Sequence, residues 1–111
     1  MRTTQRTADG VAVISLDGRM TRNDGFGEVK TAVADLLDEG HTQLLIDMAG
    51  VAYMDSTGVG QLVSAFITTR NHDGKLKLLN PSHRLRELFE VAKLVTVFDM
   101  FDDEAEALRS F

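Results

Sequence analysis

The residues best suited to chemistry lie between positions 47 and 60, Asp-Met-Ala-Gly-Val-Ala-Tyr-Met-Asp-Ser-Thr-Gly-Val-Gly. Asp47 and Asp55 are carboxylates, Ser56 and Thr57 hydroxyls, and Gly58 and Gly60 follow at once. Asp, Ser and Thr are favoured helix N-caps, so this string reads as a helix start. The free N–H groups of a first helical turn, with the helix dipole behind them, favour an anion. A phosphoryl group on the Ser56 hydroxyl would add about −1.5 to −2 charge near pH 7. The helix end tolerates that charge, while Asp47 and Asp55 repel it. Each glycine in a helix costs about 0.8–1 kcal/mol relative to alanine. Gly58 and Gly60 in one opening turn therefore call for close approach of another group, either a partner or the underlying sheet. Tyr53 and Met54 stand just upstream, one of them expected to face outward.

Rival chemistries find little support. The chain has no cysteine, which removes disulfides, thiolate metal sites and thiol nucleophiles. A hydrolase using Ser56 needs a base, and no Gly-x-Ser-x-Gly elbow surrounds it. His41 and His72 follow expected helix ends, at the sheet edge opposite Ser56. His83 opens a helix, and no two histidines have the i, i+4 spacing of a metal pair. All three read as solvated. A phospho-accepting role for Asp47 would require an acidic pair after the first long strand to hold Mg²⁺, and a lysine after the last; neither is present.

Among 111 residues, 43% are hydrophobic and 26% charged, with formal charge −5, which suits one soluble domain spanning 1–111. Scattered Lys and Arg, 6% aromatics and no Trp argue against nucleic-acid binding. No apolar leader opens the chain and no apolar run approaches a membrane span, so the expected location is the cytoplasm.

The elements that must position Ser56 follow from periodicity. A short polar edge strand over 3–7 turns at Asp9-Gly10 into a buried strand over 11–16, ended by Asp17-Gly18. Val29, Ala32, Val33, Leu36 and Leu37 mark one helix face, capped by Asn23 or Asp24 and stopped by Gly40. Residues 43–48 read as a central strand. Val59, Leu62, Val63, Phe66 and Ile67 mark a second helix over about 57–71, and residues 75–79 the next strand. Asn80 as cap and Pro81 as first residue open a third helix with Leu85, Leu88, Phe89 and Ala92 on its apolar face. Residues 95–98 read as a last strand. Asp102, Asp103 and Glu104 open a terminal helix docked by Leu108 and Phe111. The order β-β-α-β-α-β-α-β-α implies a mixed, mostly parallel sheet with an N-terminal hairpin and about four helices.

Residues 53–60, Tyr-Met-Asp-Ser-Thr-Gly-Val-Gly, resemble the signature of the STAS domain family, in which an acidic strand end and a short loop lead to Asp-Ser-Ser/Thr-Gly-Leu-Gly at a helix start. Leu45-Ile46-Asp47 resembles the strand before it. Residues 74–81, Gly-Lys-Leu-Lys-Leu-Leu-Asn-Pro, resemble the following strand and turn, and residues 84–98 the next helix. At this size the resemblance is to the anti-sigma-factor antagonist type, and it implies an α/β fold without catalysis or cofactor. It implies phosphorylation of Ser56 by a serine kinase that is itself the anti-sigma factor, reset by a cognate phosphatase. Unphosphorylated, such a module binds the kinase and releases the sigma factor. The expected partner-binding set is Tyr53, Met54, Asp55, Ser56, Thr57, Gly58 and Gly60. The loop at 19–27, with Gly25 and Gly27, departs from the family pattern; Asp24 is the candidate for the family's acidic residue there. The rival expectation is a constitutive scaffold subunit of a lipid or anion transporter, with no phosphorylation. Nothing in the sequence demands a dimer, so a monomer is expected.

Overall fold

The computed structural model describes residues 1–25 and 27–111. The elements are β1 (Arg2–Ala8), β2 (Val11–Met20), α1 (Glu28–Asp38), β3 (Gln43–Met54), α2 (Ser56–Asn71), β4 (Lys75–Leu79), α3 (His83–Val91), β5 (Met100–Phe101) and α4 (Glu104–Arg109). They form one five-stranded sheet in the order β1-β2-β3-β4-β5. β1 runs antiparallel to β2, and every later pairing is parallel. Because the strand order is sequential, three right-handed crossovers place α1, α2 and α3 on the same face. The alternating strand residues obey that arrangement. Ile14, Leu16, Leu44, Ile46, Leu76 and Leu78 join the helical side chains Val33, Leu36, Leu62, Leu85 and Phe89 in the main core. Val11, Val13, Leu45 and Leu79 face the other way, beneath α4 and Phe111.

Lys77 lies on this second face and is nearly buried. Its ammonium donates to the Ser110 carbonyl at 2.8 Å and hydroxyl at 3.0 Å, and sits 4.8 Å from the Phe111 ring centroid. The buried aliphatic stem and satisfied head hold the chain end against the sheet.

The expected element order holds, but several boundaries differ for identifiable reasons. β2 and β3 run past Asp17 and Asp47 to Met20 and Met54, through register shifts after Ser15 and Gly18. Mutual pairing, rather than local hydropathy, carries both strands onward. Residues 95–98 do not form the last strand; Val97 and Phe98 donate instead to the Leu94 carbonyl. Phe98 is 2% exposed and meets Phe66 and Phe89 at centroid distances of 5.4 and 5.8 Å. Burying that ring turns the backbone inward, and Met100–Phe101 supplies the strand. Gly27, not Asn23 or Asp24, is the cap position of α1. Ser82, not Asn80, caps α3, accepting from the Leu85 N–H at 3.2 Å. Asn80 is left-handed at φ 56° and Pro81 precedes the helix.

Candidate functional site

The site grows from the parallel ends of β2 and β3, where Arg19 pairs with Tyr53 and Met20 with Met54. The Asp55 N–H donates to the Met20 carbonyl at 3.2 Å, locking the next residue to the sheet edge. Asp55 is extended and is the N-cap of α2; its Oδ1 accepts from the Gly58 N–H at 3.0 Å. With the cap filled by Asp55, Ser56 becomes the first helical residue and its side chain is exposed. Among the described residues, nothing bonds the Ser56 hydroxyl. Thr57 is half-buried and therefore a poorer acceptor for an incoming group.

The two glycines serve different ends. A Cβ on Gly58 would lie 2.3 Å from the Met20 carbonyl oxygen and 2.7 Å from Met54 Cγ. Gly58 is buried, so its glycine character comes from packing on the strand end rather than from partner access. Gly60 is exposed, and a Cβ there would meet nothing within 4 Å. Tyr53 and Met54 divide in the same way. Tyr53 is 43% exposed; Met54 is 5% exposed and belongs to the core, which removes it from the contact surface.

Asp24 reaches the site through Arg19. The Thr21 hydroxyl accepts from the N–H groups of Asn23 and Asp24 at 3.2 and 3.1 Å, closing a tight turn. Arg19 Nε stands 3.8 Å from an Asp24 carboxylate oxygen, and its guanidinium lies 5.1 Å from the Tyr53 ring centroid. Exposed contacts of this kind add little stability. Sequence reasoning passed over Arg19 because β2 was expected to end before it. It also missed an apolar groove of about 250 Å³ behind Tyr53, lined by Ala52, Leu88 and Val91 among others. Val91, one turn beyond Leu88 on the apolar side of this helix, is the sequence feature that marks the groove, and the structure leaves it 82% exposed.

The histidines take no part. His83 Nε2 lies 2.9 Å from Glu87, His72 Nδ1 2.8 Å from the Thr68 carbonyl oxygen, and His41 3.9 Å from Glu39. No metal-binding cluster occurs among the described residues. Nor is any helix among them long and apolar enough to cross a membrane.

Fold and site together define a small α/β domain with a serine displayed at a helix start, rather than an assembled nucleophile and base. The STAS domain model matches residues 3–107, and the chain belongs to that family. A relative from Listeria monocytogenes, named anti-sigma-B factor antagonist, is 41% identical over 63 residues, covering 57% of this chain and 55% of the relative. The match thus spans little more than half of that relative's length. An anti-sigma factor antagonist from Mycobacterium paratuberculosis superposes with a TM-score of 0.85 at 18% identity, covering 98% of this chain and 92% of the other. The Bacillus cell fate determinant SpoIIAA in its phosphorylated form superposes with a TM-score of 0.74 at 22% identity, covering 98% of both chains. These likenesses establish the five-stranded mixed sheet with four helices as the STAS fold.

Proposed function

We propose that this protein is an anti-sigma-factor antagonist whose binding is switched by phosphorylation of Ser56. The observation that carries the proposal is the exposed Ser56 hydroxyl at the first position of α2, with no hydrogen-bond partner among the described residues, three residues after the exposed Tyr53 that Arg19 covers. In the unphosphorylated state this edge binds an anti-sigma factor, which releases its sigma factor. The same anti-sigma factor acts as a serine kinase. The Ser56 oxygen attacks the γ-phosphorus of ATP, the bond to ADP breaks, and the hydroxyl proton passes to a base on the kinase. A phosphatase hydrolyses the ester and resets the protein. The chain itself supplies no catalysis and no cofactor; it works in the cytoplasm, as a monomer.

The charge is well placed for a switch. At a helix N-terminus a phosphate is stabilised by the dipole, so the fold survives modification. Inside a protein interface the same charge is desolvated, with the Asp55 carboxylate next to it. A thousandfold loss of affinity needs only about 4.1 kcal/mol, which lies within the 3–5 kcal/mol range for an uncompensated buried charge.

Intact mass with peptide mapping of protein from its native cells tests the proposal. A phosphate confined to Ser56 and lost in Ser56→Ala is the expected result. Ser56→Ala should also hold the partner-binding state, and Ser56→Asp should weaken it. A Ser56 unmodified under every growth condition would overturn the switch in favour of a constitutive scaffold.

A further inference from the structure

Gln61 presents a feature that the Ser56 site does not use. It is 9% exposed, on the first half of α2, and both its side-chain amide atoms are shut from solvent. Among the described residues neither Nε2 nor Oε1 has a hydrogen-bond partner. Leaving such groups unsatisfied is costly, and a buried amide with neither partner calls for an explanation. Gln61 lines a cavity of about 310 Å³ between α1 and α2, together with Gly27, Lys30, Thr57, Gly60 and Ser64. Thr57 and Ser64 add hydroxyls to its wall. Among the described residues, Lys30 is the one charged residue lining it. Gly60 leaves open space where a side chain would stand.

We propose that this cavity receives an extended, acidic segment of a partner protein, with Gln61 pairing to its main chain. The proposal rests on reading the chain as a protein-binding module, and it adds a second contact beside Ser56. The chemistry selects the occupant. Gln61 needs an acceptor for Nε2 and a donor for Oε1 at the same time. A peptide main chain offers a C=O and an N–H side by side, whereas a free carboxylate offers acceptors only. The Lys30 ammonium adds a preference for a neighbouring Asp or Glu side chain. Gly60 lets the main chain come close, as no Cβ intervenes. Because both amide atoms are shut from solvent in the free chain, the proposal requires the Gln61 side chain to turn its amide into the cavity when the peptide binds.

The test is a titration of the full chain with a blocked, alanine-rich pentapeptide carrying a central glutamate. The readout is the ¹⁵N-resolved signals of the Gln61 side-chain amide. Those signals should shift and saturate with Kd of about 1 mM or tighter, and the same peptide N-methylated along its main chain should bind more weakly. Gln61→Leu should melt at a higher temperature, since it removes two orphaned polar atoms, yet bind the peptide about tenfold more weakly. Lys30→Ala, a surface change, should weaken binding while leaving the melt unchanged. No shift at saturating peptide would overturn the proposal. So would equal binding by the N-methylated peptide or by Gln61→Leu, or the same shift produced by acetate alone. None of these outcomes bears on whether Ser56 is phosphorylated, and an unmodified Ser56 would leave the peptide titration standing.

Discussion

Gly58→Ala and Gly60→Ala are the same chemical change two residues apart in one helix, and the structure gives them opposite signs. Both gain about 0.8–1 kcal/mol of helix propensity. At Gly60 the new methyl meets nothing within 4 Å, so the gain is kept. At Gly58 the methyl would lie 2.3 Å from the Met20 carbonyl oxygen, a backbone atom that cannot turn aside. Relief requires α2 to lift from the end of β2. Forced overpacking of this kind costs about 1–3 kcal/mol. Lifting also strains the hydrogen bond from Asp55 N–H to Met20, worth about 0.5–1.5 kcal/mol. The net loss at Gly58 is about 1–3 kcal/mol, and a domain of this size shifts its Tm by roughly 4–8 °C per kcal/mol. Thermal unfolding followed by circular dichroism should therefore show Gly58→Ala melting on the order of 10 °C below the native chain, and Gly60→Ala a few degrees above it. A Gly58→Ala protein as stable as Gly60→Ala would refute the assignment of Gly58 to packing, and with it the docking of α2 on the β2 end.

Other substitutions probe the same architecture. Asp55→Ala removes the acceptor for the Gly58 N–H and should cost about 0.5–2 kcal/mol in chemical denaturation, with an unchanged m-value. Phe98→Ala should cost about 3–5 kcal/mol, because the ring bridges Phe66 and Phe89 in the core; a loss under about 1 kcal/mol would contradict that placement. Tyr53→Ala should leave the melting temperature nearly unchanged and reduce capture of the proposed partner, an anti-sigma factor, in a pull-down. Unaltered capture would remove Tyr53 from the contact surface.

Much of this fold was legible in the chain because its signals are local. The 3.6 period of Val29 to Leu37 and the apolar runs within residues 11–16 and 43–48 need only near neighbours to be read, and all three lie in the observed elements. The resemblance carried by residues 53–60 located the helix start, and the structure places Ser56 at its first position. Residues 95–98 show where local reading stops. Three of them are apolar and two are Val, so they have every mark of a strand, but the core cavity between α2 and α3 takes the Phe98 ring and bends the chain.

Local residue types and spacing were enough to determine the alternation of elements, the identity of most core residues and the helix start that presents Ser56. Tertiary structure decided which of Tyr53 and Met54 faces outward, which glycine is obligatory, and that Arg19 joins Asp24 to the site. It also left the Gln61 amide buried without a partner. Each of these depends on two segments far apart in sequence meeting at one edge of the sheet. Met20 closes over Gly58 and Met54 only because β2 and β3 extend side by side beyond the point where hydropathy marks either strand. Periodicity records which side of an element is apolar; the neighbour against which that side packs is set by pairing and crossover geometry, which no single segment encodes.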